Sequence, residues 1–215
     1  MQKDHPQMRI KAFILLFLLF SINKLFSQED LNAKLYVRAT TSVSGQEFYI
    51  DILCSNSETK LLFRIKTHFN DNKFNKDKAV LSYRQLLESP KYLDIANDTV
   101  KLYINKLDSI ARSYTDYDTD SLIISNSKHK DYINLIDEIL NSPIDKLNDS
   151  LNRVVIDGTS FKVEILKNGQ NSIVFSRSPD LKSNPYIYRL ISESMNLYRS
   201  YKANNFLDKR RTSGY

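Results

Sequence analysis

The sequence predicts an α+β fold: two antiparallel β-meanders separated by a three-helix segment, with a C-terminal amphipathic helix packed on the sheet. Two observations predict it. Residues 34–68 and 153–177 alternate between apolar and polar side chains, as strands with one buried face do. Residues 76–141 and 185–203 carry apolar side chains at helical spacing. We expect one domain, residues 28–205.

The first meander is predicted by three period-two runs joined by polar turns. Each run has one apolar side, formed by Leu35, Val37 and Ala39, then Phe48, Ile50, Ile52 and Cys54, then Leu61, Phe63 and Ile65. An apolar sheet face has to be covered by another layer, so we expect helices on it. The single cysteine excludes an intramolecular disulfide.

The second meander contains an Asn-Gly turn at residues 168–169, a strong hairpin signal. A two-residue loop would set Glu164 opposite Ile173. A three-residue loop with a glycine bulge would instead pair Phe161 with Phe175. The second register gathers apolar side chains on a common face, so the sequence favours it.

Three helices are predicted between the meanders. The second has apolar residues spaced alternately by three and four from Leu93 to Tyr114. That seam predicts either a coiled-coil dimer or a long helix packed within a monomer. We favour the monomer, because the seam barely reaches the three heptads that a coiled coil needs. Ser127 is predicted to cap the third helix, and Pro143 to end it.

The last helix has a clear start. Asn184 suits the N-cap and Pro185 the first helical position. We expect its apolar stripe to lie on a sheet face that includes Phe175, and residues 206–215 to form a basic flexible tail. The stripe consists of Ile187, Leu190, Ile191, Ser194, Leu197, Tyr198 and Tyr201.

Residues 1–27 are predicted to be a secretory signal peptide. A basic start precedes a wholly apolar run at 12–20, much shorter than the roughly 20 residues of a membrane-spanning helix. A small residue, Ser27, predicts cleavage before Gln28. We therefore expect a secreted or periplasmic protein with no membrane span after cleavage.

The composition excludes several classes of function. The formal net charge is +6, but without residues 1–27 it is +3, from 27 basic and 24 acidic side chains. That balance argues against nucleic acid binding, which needs a clustered basic face. With four glycines, one cysteine and three histidines, no phosphate-binding loop or structural zinc site can be assembled. We predict no catalytic residues.

An acidic stretch is the best candidate for a metal site. Asp116, Asp118 and Asp120 resemble the start of an EF-hand calcium loop, and we expect them in a loop between the second and third helices. Ser121 stands where that loop needs glycine, and Ser127 stands where it needs glutamate. Calcium is the only cofactor that the sequence suggests.

Tyrosines crowd the last helix. Tyr186, Tyr188, Tyr198 and Tyr201 predict a binding face, because tyrosine suits interaction surfaces. Burial of more than half of Tyr188 would remove the support for that face.

The leading hypothesis is an exported, non-enzymatic protein with an interaction or structural role in the periplasm or outside the cell. Its partner would be another protein or an envelope component. The alternative is a cofactor-independent hydrolase that uses carboxylates on envelope or extracellular polymers. Two carboxylates close together in a deep cleft would favour that enzyme.

Overall fold

The fold is described from a computed structural model of the chain. The structure describes residues 32–42, 45–88, 97–149, 158–212 and 214–215. The predicted signal peptide with its cleavage point, the Ser-Pro start of the second helix and the first strand of the second meander lie outside those residues.

Six strands form one antiparallel sheet, in the order β4-β3-β2-β1-β5-β6. Both predicted meanders therefore contribute to a single sheet, and the α+β fold class is confirmed. The strands are β1 (Ala33–Thr41), β2 (Glu47–Cys54), β3 (Glu58–Phe69), β4 (Thr115–Ser125), β5 (Thr159–Lys167) and β6 (Gln170–Arg177). The helices are α1 (Asp71–Lys76), α2 (Lys78–Glu88), α3 (Asn97–Ser113), α4 (Lys130–Asn141), α5 (Ile144–Leu147) and α6 (Pro185–Tyr201).

One face of the sheet, here called the inner face, carries buried apolar side chains from every strand. Helices α4 and α6 cover it, as the meander pattern requires. The buried core includes Leu35, Val37, Ile50, Ile52, Phe63, Ile65, Leu122, Val163 and Val174 from the sheet, with Leu135, Ile136, Ile139, Ile187, Leu190, Ile191 and Met195 from the helices. The opposite, outer face is polar around its centre.

The start of α6 confirms the predicted cap. The Asn184 side chain accepts a hydrogen bond from the Ile187 amide at 3.1 Å. Its Nδ2 also donates to the Leu147 carbonyl oxygen at 2.7 Å, which ties α6 to α5. The buried stripe of α6 differs from the predicted one at its end, because Met195 is buried whereas Tyr201 is 56% exposed.

Asn184→Ala is expected to lower the free energy of unfolding by about 2 kcal/mol, the upper range for loss of an N-cap. The buried contact with the Leu147 carbonyl oxygen is lost with it. Urea denaturation of the variant measures the change. Asn196→Ala is the control, because Asn196 is an exposed residue of the same helix and its replacement should change the value by less than about 0.5 kcal/mol. Equal effects of the two substitutions would contradict the capping role.

The favoured register of the β5–β6 hairpin is wrong. Glu164 lies opposite Ile173, and Lys167 lies opposite Gln170, so the loop has two residues. Asn168 and Gly169 both have positive φ (51° and 76°), which a two-residue type I′ turn requires at both central positions. The turn therefore decides the register.

The corrected register turns two apolar side chains outward. Phe175 is 61% exposed and Ile173 is 40% exposed. The inner face of β6 carries Val174 and Ser176 in their place. Phe161, Val163 and Val174 belong to the same buried core as α6, and Phe175 does not.

The segment between the meanders contains a strand as well as helices. Residues predicted to form an acidic loop between the second and third helices belong to β4, which pairs with β3 along its length. Helix α4 begins later than predicted, after His129 rather than Ser127. Pro143 follows α4 but also opens the short helix α5.

Helix α3 packs on α2 and on the outer face of the sheet. The Tyr83 and Tyr103 rings of the two helices lie 5.6 Å apart. Arg38 of β1 holds Asp108 of α3 at 2.8 Å. The Tyr103 contact occupies part of the predicted seam, and the preference for a monomer over a coiled-coil dimer stays a prediction. In the described residues, no helix has the length and apolarity to cross a membrane.

The described residues of the C-terminal segment, 206–212 and 214–215, contact the rest of the domain, and flexibility of the predicted tail stays a prediction. The segment folds into turns against α6, with Leu207 and Thr212 buried. Arg199 of α6 donates from Nε to the Leu207 carbonyl oxygen at 2.9 Å. Arg211, part of the predicted basic tail, pairs with Asp118 of β4 at 2.5 Å.

Candidate binding site

Two rows of side chains cross the outer face of the sheet. Strand register places Arg38 of β1 beside Tyr49 of β2 and beside Lys162 of β5, and Tyr49 beside Arg64 of β3. This set, Lys162, Arg38, Tyr49 and Arg64, is called the cationic row. It forms because side chains of directly opposite residues point to the same face.

The neighbouring row is acidic. Tyr36 of β1 lies between Asp51 of β2 and Glu164 of β5. This set, Glu164, Tyr36 and Asp51, is called the acidic row. Because its β1 and β2 members stand two residues along from those of the cationic row, both rows face the same side of the sheet.

The two rows form the floor of a cleft of about 470 Å³, here called the arginine cleft. Arg112 of α3 and Tyr117 of β4 line it as well. Four cations line the cleft (Arg38, Arg64, Arg112 and Lys162) against two carboxylates (Asp51 and Glu164), so its lining carries a net charge of +2. The volume is within the range of pockets for small molecules.

Tyr49 is the centre of the cleft. The guanidinium carbons of Arg38 and Arg64 lie 5.8 Å and 5.0 Å from its ring centroid, both within the range of cation–π attraction. The Tyr117 ring meets it edge-on at 5.5 Å. Burial and the hydrogen bond to Glu47 raise the pKa of Tyr49, so its hydroxyl is a neutral donor at physiological pH.

Glu47 anchors this centre from one side. It accepts hydrogen bonds from the Tyr49 hydroxyl at 2.7 Å, Arg38 Nη2 at 3.2 Å and Lys66 Nζ at 3.2 Å. Burial opposes its ionisation, but these three partners outweigh burial and lower the pKa of Glu47. Glu47 is therefore a fixed anion, which orients Tyr49 and Arg38.

Arg38 also connects α3 to the sheet through an ion pair with Asp108. Its Nη1 donates to both carboxylate oxygens of Asp108, at 2.8 Å and 3.1 Å. Arg112 donates to Asp108 at 2.8 Å. Burial opposes ionisation of Asp108, but the two guanidinium groups lower its pKa below the ordinary value. The side of the cleft formed by α3 is thus held by charge-assisted hydrogen bonds.

Arg64 and Asp51 link the two rows. Arg64 Nη2 donates to both oxygens of Asp51, each at 2.9 Å. Burial raises the pKa of Asp51 in spite of that partner. Within the described residues, the Nε atoms of Arg38 and Arg64 are buried and have no hydrogen-bond partner. Buried donors of this kind are uncommon, because leaving one unsatisfied costs about 1–3 kcal/mol.

The chemistry of the cleft suits recognition of an oxyanion. Guanidinium groups present planar sets of donors that match carboxylate and phosphate oxygens. The two carboxylates of the lining are already in ion pairs, Asp51 with Arg64 and Glu164 with Lys162. That pairing suits electrostatic binding better than general acid–base work.

A second cavity of about 670 Å³ lies between the start of α4 and the second half of α6. It is a more open groove, and its charges are mixed: Lys128, Lys130 and His129 stand with Asp131 and Glu193. We consider the arginine cleft the stronger site because its charged groups converge on one aromatic ring.

The four predicted tyrosines do not share an exposed face. Tyr198 is buried, and Tyr186 and Tyr188 are each more than half buried. The Tyr198 ring packs edge-on against Phe63 at 5.0 Å. Tyr201 is exposed and bonds to His129 Nε2 at 2.8 Å. The burial of Tyr188 removes the support for a tyrosine binding face on α6.

The three predicted calcium ligands lie at alternate positions of β4. Asp120 accepts hydrogen bonds from the Tyr198 hydroxyl and from Lys202, the latter at 3.2 Å, and Asp118 holds Arg211. Among the residues that the structure describes, no three His, Cys, Asp or Glu side chains are grouped to hold a metal. Calcium binding by Asp116, Asp118 and Asp120 stays a prediction.

Asp120→Asn is expected to lower the free energy of unfolding by about 1 kcal/mol at pH 7. The hydrogen bond from Tyr198, with Lys202 nearby, lowers the pKa of Asp120 from 3.8 to about 2. The folded pKa is depressed, so this stabilisation is complete above about pH 4 and is lost as the pH falls towards 2.

Urea denaturation of both proteins between pH 7 and pH 2.5 measures that dependence. Asp116→Asn is the control, because Asp116 is an exposed residue of the same strand. A difference in the free energy of unfolding between wild type and Asp120→Asn that stays constant over this pH range would contradict the assigned role of Asp120.

Comparison with known families, curated proteins and solved structures finds nothing that matches this chain. The function is therefore inferred from the site alone.

Proposed function

We propose that this chain is an exported, non-enzymatic binding protein that takes the anionic group of a small ligand or envelope component into the arginine cleft. The observation that carries the proposal is the convergence of Arg38, Arg64, Arg112 and Lys162 on one cleft, with the Arg38 and Arg64 guanidinium groups on either side of Tyr49. An oxyanion in the cleft would meet cationic donors from more than one element of the fold.

Preorganisation supports the proposal. Glu47 and Asp108 hold Arg38 from two directions, and Asp51 holds Arg64. Side chains fixed before a ligand arrives lose little conformational entropy on binding. Arg112 is more exposed than these two arginines, and with Lys162 it would attract an anion towards the cleft.

Calorimetric titration with 4-methylbenzoate and with inorganic phosphate, at constant ionic strength, tests the proposal. We expect at least one of the two anions to bind. Arg38→Met should weaken that binding at least tenfold, which corresponds to about 1.4 kcal/mol. Lys162→Ala, at the end of the cationic row, should weaken it less and leave the fold intact, because Lys162 is a partly exposed surface residue.

Arg189→Met is the matched control. Arg189 pairs with Glu193 on α6 at 3.1 Å, on the other side of the sheet from the cleft. Equal loss of binding in the Arg189 and Arg38 variants would show a general charge effect. Absence of binding by wild type for both anions would contradict the proposed function.

Export is the second part of the proposal, and the predicted signal peptide supports it. Expression of the full chain in a secreting bacterial host should yield a product that begins at Gln28 in the periplasm or medium. Intact-mass measurement of that product is the test. A cytosolic product that keeps residues 1–27 would contradict export.

A further inference from the structure

We propose that the ligand of the arginine cleft is a zwitterion: its carboxylate binds the cationic row and its ammonium group binds the acidic row. This inference rests on the proposed function, since it assigns a ligand class to the same cleft. It adds a requirement for a positive charge on the ligand, which the binding of a simple anion does not need.

The spacing of the two rows carries the inference. They stand two residues apart along β1 and β2, which is about 6.6–6.8 Å in an extended strand. Opposite charges are therefore displayed side by side on the cleft floor, with a separation that a small molecule can span. A ligand with a single charge would gain from one row and be repelled by the other.

Two ion pairs already join the rows, and they show that charges at this spacing can meet. Arg64 reaches Asp51 at 2.9 Å, and Lys162 reaches Glu164 at 2.6 Å. Both members of the second pair are more than a third exposed, so this pair costs little to open. Once it opens, Lys162 can face a ligand carboxylate and Glu164 a ligand ammonium group.

The surface between the charges is aromatic. Tyr36 belongs to the acidic row and Tyr49 to the cationic row, and both line the cleft. Burial, together with the charges of Asp51 and Glu164, raises the pKa of Tyr36, so its hydroxyl stays neutral. An apolar or aromatic spacer between the ligand's two charges would lie on the Tyr36 ring, the more exposed of the two.

Three probes of matched shape test the charge requirement. 4-(Aminomethyl)benzoate carries both charges at opposite ends of a ring, 4-methylbenzoate carries only the carboxylate, and 4-methylbenzylamine carries only the ammonium group. Calorimetry at pH 7 and constant ionic strength should show the zwitterion binding at least tenfold more tightly than 4-methylbenzoate. The amine alone should show the weakest binding of the three.

Glu164→Gln should remove that preference. The variant is expected to bind 4-methylbenzoate at least as well as wild type, and to lose at least fivefold in affinity for 4-(aminomethyl)benzoate. Glu193→Gln on α6 is the control, and it should leave both affinities unchanged. Thermal unfolding confirms that the variants are folded.

The outcomes separate the two proposals. If 4-methylbenzoate binds as tightly as the zwitterion, the zwitterion inference is wrong while anion binding stands. If neither 4-methylbenzoate nor phosphate binds, the proposed function is wrong, whatever the zwitterion does. If only the amine binds, both are wrong.

Discussion

Leu207→Ala is expected to lower the free energy of unfolding by about 2–3 kcal/mol, in the lower part of the range for buried leucine. Leu207 is 3% exposed and belongs to the central apolar core. The loss in free energy of unfolding cannot exceed the free energy with which the C-terminal segment docks on α6. Beyond that limit the segment would detach while the rest of the domain stayed folded. Urea denaturation measures the change.

Lys209→Ala is the matched control, since Lys209 is an exposed residue of the same segment. It should change the free energy of unfolding by less than about 0.5 kcal/mol. If Leu207→Ala changes stability as little as the control does, the segment behaves as the flexible tail that composition suggested, and its contacts with Arg199 and Asp118 contribute nothing.

Arg64→Met is expected to cost about 2–3 kcal/mol at pH 7. It leaves the largely buried Asp51 carboxylate without its partner and removes the guanidinium from the Tyr49 ring. We expect less than the full 3–5 kcal/mol of a deeply buried pair, because the Arg64 side chain is about a third exposed.

The pH dependence of this variant has a definite sign. Burial raises the pKa of Asp51 even beside Arg64, and loss of the arginine should raise it further. A carboxyl group whose pKa is higher in the folded state than in the unfolded state lowers the free energy of unfolding as the pH rises. The variant should therefore regain stability as the pH falls from 7 towards 5.

A double-mutant cycle with Asp51→Asn separates the ion pair from its surroundings. The double variant is expected to be at least about 1 kcal/mol more stable than Arg64→Met alone at pH 7, because no unpaired carboxylate remains. If the double variant is as unstable as the sum of the single variants predicts, Asp51 and Arg64 are not coupled.

The sheet could be predicted from the sequence because its strands alternate strictly. Leu35, Val37 and Ala39 are all buried, as are Phe161, Val163 and Ile165. Antiparallel strands with one buried face leave that pattern in any register. The cap at Asn184 is equally local, since it needs only a side chain and an amide three residues later.

The β5–β6 register could be misjudged because two local rules disagree. Pairing Phe161 with Phe175 maximises apolar contact on one face, whereas the Asn-Gly turn fixes a two-residue loop. The turn decides, since Phe175 can be exposed at modest cost whereas the positive φ of Asn168 and Gly169 matches an I′ turn.

Strand β4 was not predicted from the sequence because aspartate is depleted in strands. Its aspartates are tolerated because they meet cations and hydroxyls from distant parts of the chain, Asp118 with Arg211 and Asp120 with Tyr198 and Lys202. Such partners, 78 to 93 residues away, leave no local signal.

The arginine cleft left a partial signal in the sequence. Alternation already places Arg38, Tyr49 and Arg64 on the polar sides of neighbouring strands. What brings them into one row is the register of β1 against β2 and of β2 against β3, which the turn lengths decide. Helix α3, which closes one side through Asp108, could be placed only by the tertiary fold.

The most direct test of anion binding in the cleft is an NMR titration of ¹⁵N-labelled protein with 4-methylbenzoate. The Nε–H signals of Arg38 and Arg64 should shift and saturate together, while that of Arg189 stays unchanged. Unchanged Arg38 and Arg64 signals at saturating probe, or shifts centred on the groove between α4 and α6, would contradict the account.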